Sequence, residues 1–204
     1  MKLYYTPGAC SLSPHIILRE LGLQFDLERV DLATKKTASG RDYLKINPKG
    51  YVPALELEEG EVLTEGAAIA QYLADRKPDS GLAPPSGTLK RTRLQEQLNF
   101  LASELHKSFS PLFQKDASAE AKAAAVAHIA SRLDHLETTL GDGRPYLMGS
   151  DYTIADPYLF IIASWAKPTG IDLGRWPRLA ALVDRIGRRP MVMAALQAEN
   201  QKAA

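Results

Sequence analysis

Residues 49–69 read K-G-Y-V-P-A-L-E-L-E-E-G-E-V-L-T-E-G-A-A-I, and this stretch leaves few folds open. Residues 54–57 alternate apolar and polar, which is the period of a half-buried strand. Glu58-Glu59-Gly60 is a turn cluster, and 61–63 alternate again, so the run predicts a hairpin. Thr64-Glu65-Gly66 then leads into a helical run with Ile69, Tyr72 and Leu73 on one face. A hairpin that feeds a helix start, preceded by Val52-Pro53, is a binding device. Val52 can offer its backbone N–H and C=O to an extended peptide. The helix start offers N–H groups and the positive end of its dipole to a carboxylate. Glu65 places a negative charge beside it for an ammonium. A small peptide with both an α-amine and an α-carboxylate fits that pair.

The rest of the chain builds outward from this stretch. Residues 2–6 predict a first strand and 7–9 a loop. Cys10-Ser11-Leu12-Ser13-Pro14 opens a helix to about Leu21, with Pro14 in its first turn and Gly22 as the stop. Residues 25–31 predict a second strand, so strand, helix and strand form a β-α-β unit with parallel strands. Residues 32–39 read as polar loop and 42–46 as a short irregular helix before Asn47-Pro48. The resulting order, βαβαββα, is that of a thioredoxin-like domain. Pro78, Gly81, Pro84, Pro85 and Gly87 then mark a boundary without periodicity. Beyond it come helix formers: one long amphipathic pattern over 89–113 and an alanine-rich one over 119–140. Thr153 and Asp156 follow at capping-box spacing, before a run to about Trp165 that is apolar on most faces. Two last helices are predicted over 177–188 and 190–201. The expected architecture is α/β plus all-α: a thioredoxin-like domain over 1–77, a linker over 78–88, and a helical bundle domain over 89–204.

Composition narrows the function classes. With 25 basic and 24 acidic residues the net charge is +1, which lacks the basic excess of sequence-independent nucleic-acid binding. The run Arg185, Arg188, Arg189 reads as a solvated helix end. Lys2 precedes a short apolar run broken by Pro7, so no signal peptide is expected, and no long apolar span suggests a membrane. A single cysteine excludes an intrachain disulfide and fits a reducing cytoplasm.

The cysteine is also the first candidate for chemistry. A thiol at a helix N-terminus meets the dipole and unsatisfied N–H groups, both of which favour thiolate. The motif is C-S-L-S, so Ser13 cannot resolve a disulfide, and Cys10 would pair with an external thiol. Tyr5 and Ser11 stand beside it as core residue, helix cap or participant. Further on, Asn99, Ser103, His106 and Ser110 are spaced to share one helix face, with Phe109 and Phe113 alongside. That pattern suits a cleft wall and equally an exposed polar stripe. His15 reads as packing, and His128 and His135 as surface positions. The four histidines lack metal-ligand spacing with Cys10, so no metal is expected.

V-P-A-L, the hairpin and T-E-G-A-A-I together resemble the glutathione-binding part of the cytosolic glutathione S-transferases. Y-Y-T-P-G-A-C-S-L-S resembles their bacterial beta class, which carries a cysteine at that place. The resemblance covers nearly the whole chain, and Val52-Pro53, Glu65, Cys10 and His106 in this order make it specific. One departure is Gly66, where the family usually has serine. The resemblance implies a cis Val52–Pro53 bond, with Val52 and Pro53 facing the peptide backbone of glutathione. It implies that Glu65 and the Gly66 N–H hold the γ-glutamyl end; Lys35 is a companion candidate for the glycyl carboxylate, and Lys35-Lys36 reads equally as solvated loop. Asn99, Ser103 and His106 are implied as further glutathione contacts. Cys10, with His106, Ser11 and Tyr5, is implied in the chemistry. Phe109, Phe113 and Trp165 are expected to wall an electrophile pocket, Trp165 being equally a core residue. The implied activity is conjugation of glutathione, a co-substrate, to hydrophobic electrophiles, with thiol-disulfide exchange through Cys10. The partner is expected to be a second copy of the chain. The other reading is a non-catalytic ligand-binding or interaction protein of the same fold.

Overall fold

The computed structural model describes residues 1–58 and 60–200. Glu59 of the anticipated turn and Gln201 at the anticipated end of the last helix lie outside the described residues. The chain forms two compact units: Met1–Ala83 together with the segment that begins at Arg188, and Pro84–Gly187.

The first unit is a five-stranded sheet in the order β3-β2-β1-β4-β5 with helices against it. Its strands are β1 (Lys2–Tyr5), β2 (Asp26–Asp31), β3 (Lys36–Thr37), β4 (Ala54–Glu56) and β5 (Val62–Thr64). β1 pairs parallel with β2 and antiparallel with β4, and β4 pairs antiparallel with β5. Helix α1 (Leu12–Glu20) supplies the crossover that a parallel pair requires, and α2 (Gly66–Asp75) follows the hairpin. Leu3, Tyr4 and Tyr5 are all buried because the central strand is covered on both faces. Tyr4 packs with Val30, Tyr43, Val52 and Ala54 on one of them. Two local expectations change. Lys36-Thr37, read as loop, pairs antiparallel with Val30-Asp31 as an added edge strand. The irregular helix over 42–46 is a single 3-10 turn, Tyr43–Lys45, whose first turn is capped by the Asp42 carboxylate accepting from the Leu44 N–H at 3.0 Å.

The last helix, α8 (Pro190–Asn200), was expected in the helical domain and instead packs on α1 in the first unit. Polar side chains fix it there. Arg189 donates from Nε to Glu20 Oε1 at 2.7 Å and from a terminal nitrogen to Oε2 at 3.1 Å. Glu199 meets His15 Nδ1 at 2.9 Å, with both side chains almost wholly enclosed. The arginine run read as solvated therefore contains a bidentate structural contact.

The second unit is helical, with α3 (Leu89–Phe100), α4 (Ser110–Phe113), α5 (Ala119–Thr139), α6 (Ala155–Ser164) and α7 (Pro177–Gly187). The long pattern expected over 89–113 is not one α-helix. Leu101–His106 winds as a π-helix, and a turn at Phe109 separates it from α4. Pro111 supplies a reason: it has no N–H for the carbonyl four residues earlier, and its ring crowds that carbonyl. Buried Leu94, Leu98, Leu101, Leu105 and Phe109 face the core of this unit. All residues from Ala155 to Ala163 in α6 are buried, as its unbroken apolar run predicts. Asp156 secures its start, since its carboxylate accepts from the N–H groups of Thr153 at 2.7 Å and Leu147 at 2.9 Å.

Candidate active site

Register places the predicted residues of the first unit at one edge of the sheet. Tyr4 stands opposite Ala54, and Ala54 opposite Thr64. The end of β1, the start of β4 and the end of β5 therefore lie together, and the parallel partner β2 ends on the same side. The loop carrying Cys10, the Val52–Pro53 turn, the Glu65–Gly66 helix entry and the loop carrying Lys35 all emerge there. In open α/β sheets this edge, outside the carboxyl ends of the parallel strands, is where ligands bind.

The Cys10 loop is held from several sides. Gly8 takes a φ of 72°, which a residue with a Cβ rarely adopts. The Ala9 N–H donates to Thr6 O and the Ser13 N–H to Cys10 O, at 3.0 and 3.1 Å. Ser11 is buried, with its hydroxyl between the Thr6 N–H at 3.2 Å and the Thr6 carbonyl at 3.3 Å. It occupies the N-cap position of α1 without capping through its side chain. Cys10 itself is half-buried, and its thiol donates to the Val52 carbonyl at 3.3 Å. Tyr5 is buried, and loss of solvent pushes its phenol up from the usual value.

The Val52–Pro53 bond is cis, as the resemblance implies. The carbonyl of Tyr51, one residue earlier, accepts from the Tyr43 hydroxyl at 2.7 Å and Asn47 Nδ2 at 2.8 Å. Glu65 sits at the N-cap of α2 with φ 68° and ψ 111°, a conformation costly for a residue with a Cβ. Its carboxylate is exposed and meets Lys49 Nζ at 2.7 Å. Lys49 was not singled out in the sequence, since a lysine in a loop carries no signal of its own. At Gly66 an added Cβ would sit 3.6 Å from Pro53 Cγ, an ordinary contact, so space does not demand glycine. Lys35 donates to the Gly50 carbonyl at 2.9 Å.

In the second unit, His106, Phe109, Phe113 and Trp165 form one aromatic cluster. The His106 ring lies 4.9 Å from Trp165, and Phe109 stacks on Phe113 at 6.5 Å with Trp165 edge-on to both. Phe109 is buried, whereas Phe113 is 53% exposed and offers an open apolar face. His106 Nδ1 lies 2.9 Å from the Tyr158 hydroxyl. Asn99 and Ser103 are exposed, and the Ser103 hydroxyl donates back to the Asn99 carbonyl at 2.8 Å. The π-helical turn between Asn99 and His106 changes the phase on which the single-face reading of the stripe rested. His128 and His135 are exposed on α5, and among the described residues no group of three or more His, Cys, Asp or Glu is placed to hold a metal ion.

A thioredoxin-type unit with a cysteine at its first helix and a helical unit beyond it define a class of thiol-handling proteins. A glutathione S-transferase N-terminal domain profile matches residues 8–76, and the C-terminal domain profile of the same family matches 100–190. The chain belongs to the glutathione S-transferase family. It is 46% identical to glutathione S-transferase GstA of Escherichia coli O157:H7, over 99% of this chain and 100% of that one. A bacterial beta-class glutathione S-transferase of Sphingomonas chungbukensis is 51% identical with a TM-score of 0.95, covering 98% of this chain and 99% of that one. A sphingomonad glutathione S-transferase solved with glutathione is 49% identical with a TM-score of 0.96, covering 99% and 100%.

Proposed function

We propose that this protein conjugates reduced glutathione to hydrophobic electrophiles and exchanges thiols and disulfides through Cys10. The observation that carries the reading is the sheet edge where Cys10, Val52-Pro53 and Glu65-Gly66 emerge together. Glu65 takes the γ-glutamyl ammonium, and the Gly66 N–H at the start of α2 takes its carboxylate. The Val52 backbone pairs with the cysteinyl residue of glutathione. Lys35 takes the glycyl carboxylate, leaving its present partner, the Gly50 carbonyl. Asn99, Ser103 and His106 are assigned to the same ligand. Phe113, backed by buried Phe109 and by Trp165, is the apolar wall for the electrophile. The functional division follows: a glutathione-binding region over 1–77, a linker over 78–88, and the electrophile pocket within the helical region beyond.

In conjugation, the glutathione thiol releases its proton to solvent, and His106 donates a hydrogen bond to the thiolate sulfur. The thiolate sulfur then bonds to the electrophilic carbon, and the leaving group departs with its electron pair. In exchange, the Cys10 thiolate attacks one sulfur of oxidised glutathione, forms the mixed disulfide and releases one glutathione thiolate. A second glutathione resolves the mixed disulfide, because the chain has no other cysteine. A sulfur held in that disulfide cannot attack an electrophile, so conjugation uses the glutathione sulfur. Ser11 acts by holding the Cys10 loop and Tyr5 by packing behind it. The working form is a homodimer in a reducing cytoplasm.

The test is turnover of chlorodinitrobenzene with glutathione, followed as the thioether. The expected result is saturable conjugation by wild type and by Cys10→Ala, with mass spectrometry showing one glutathionyl adduct on wild type alone after oxidised glutathione. Absence of conjugation by the folded wild type sinks the transferase reading, and absence of the adduct sinks the exchange reading. Sedimentation of the same preparation at the 22.3 kDa chain mass, rather than twice it, rejects the dimer.

A further inference from the structure

Tyr158 on α6 and Trp165, the residue just past its end, stand seven residues apart and meet one imidazole. Tyr158 reaches His106 Nδ1 through its hydroxyl at 2.9 Å, with its ring edge-on at 5.9 Å and 85°. Trp165 lies against the same imidazole at 4.9 Å and 61°. Tyr158 is 4% exposed, on a helix buried along nine consecutive residues. Two residues before it, the Asp156 carboxylate ties the helix start to Thr153 and Leu147. The hydroxyl is therefore delivered from a stiff element, whereas His106 ends a π-helical turn. Groups that must hold a reacting side chain within narrow limits are best placed on such elements.

We propose that Tyr158 is a positioning residue that fixes the tautomer of His106. A phenol hydroxyl is a strong donor and a weak acceptor, and the lone pair of a neutral imidazole nitrogen is a strong acceptor. The bond therefore runs from Tyr158 O–H to Nδ1, which leaves the ring proton on Nε2. Which nitrogen carries the proton is set by the partner of the other one. His106 then presents an Nε2–H donor to a ligand, and a developing sulfur anion is stabilised by such a donor. Tyr158 does not itself touch the reacting atoms. This inference rests on the assignment of His106 to the reaction made above.

The experiment combines imidazole nitrogen NMR with a double-mutant cycle. The chain has four histidines, so loss of one signal set in His106→Asn assigns the residue. Wild type is expected in the Nε2–H tautomer, and Tyr158→Phe, which keeps the ring, as a mixture of tautomers. Tyr158→Phe should lower kcat with chlorodinitrobenzene on the order of tenfold, the rate equivalent of one hydrogen bond, with KM for glutathione unchanged. In the His106→Asn background the same change should have no effect on kcat. A wild-type proton on Nδ1 overturns the proposal without any variant, and an equal loss in both backgrounds overturns it by showing that Tyr158 does not act through His106. Full turnover by His106→Asn overturns the underlying assignment of His106, and is told apart by a tautomer shift that still follows Tyr158.

Discussion

Glu65 combines a left-handed φ of 68° with an exposed carboxylate, so its two properties can be separated by substitution. Glu65→Ala and Glu65→Gly both remove the charge assigned to the glutathione ammonium. Both should weaken glutathione binding by about 2 kcal/mol in calorimetry, the scale of one charge-assisted hydrogen bond in a ligand site. Only Glu65→Gly relieves the backbone, so it should be more stable to urea than Glu65→Ala by about 1 kcal/mol. The Lys49 pair, absent from both variants, is surface-exposed and contributes little to that balance. Equal stability of the two variants would place the strain elsewhere. Tyr4 and Tyr43 give a second test at this scale. Burial pushes both phenols up to about 12, and at Tyr4 the Glu56 carboxylate it donates to adds to the shift. A raised folded-state pKa means the fold keeps a proton that the unfolded chain loses. The stability these phenols contribute is thus fully present below pH 10 and lost as pH rises through about 12. Tyrosinate absorbance of the folded protein should show a late phase that Tyr4→Phe diminishes. A single phase near pH 10 from all eight tyrosines in the folded state contradicts this.

At the scale of elements, α6 depends on one buried carboxylate. Asp156 satisfies two backbone N–H groups and lies 3.2 Å from the Thr153 hydroxyl. The capping-box spacing in the sequence anticipated Thr153, but Leu147 lies beyond any local rule. Asp156→Ala leaves both N–H groups buried without an acceptor, so it should cost about 2–4 kcal/mol in urea unfolding. Asp156→Asn, with one accepting oxygen, should fall between. A loss within the noise of a surface substitution would show the cap to be dispensable. The same helix carries Tyr158 and leads into Trp165, so weakening its start should also broaden the His106 signals. Where α3 passes into the π-helical turn, the apolar positions Leu94, Leu98, Leu101 and Leu105 remain buried while the polar stripe is rephased.

The first unit is completed by a helix from the far end of the chain. Glu199 accepts at Oε2 from the Gly8 N–H at 3.4 Å and meets His15 at Oε1, and Arg19 Nε donates to the other nitrogen of His15 at 2.9 Å. α8 thereby holds both α1 and the loop that leads to Cys10. Glu199→Ala should lower stability by about 2–4 kcal/mol, since it strips partners from buried groups. Amide exchange should quicken at Gly8 and Ala9 but not in α5. Uniform loss of protection in both units would show instead that α8 supports the whole molecule equally.

Much of this protein was written in local pattern. The hairpin, the helix at Gly66, the β-α-β start and the apolar α6 each follow from periodicity and turn residues, which need only a few neighbours. The candidate residues on the sheet edge were legible because Cys10, Val52-Pro53 and Glu65 are punctuation between those elements. Other features required the folded chain. The two-residue strand Lys36-Thr37 exists only because β2 offers it a partner, and no period can show in two residues. The π-helical turn over Leu101–His106 shifts the helical phase within one continuous pattern, which a helical wheel does not represent. Tyr158 gave no signal, since an apolar run hides one hydroxyl among core side chains. The place of α8 was decided by Glu20 and His15, which stand 169 and 184 residues before their partners Arg189 and Glu199. Such contacts are energetically decisive and sequentially remote, so only tertiary structure settles them.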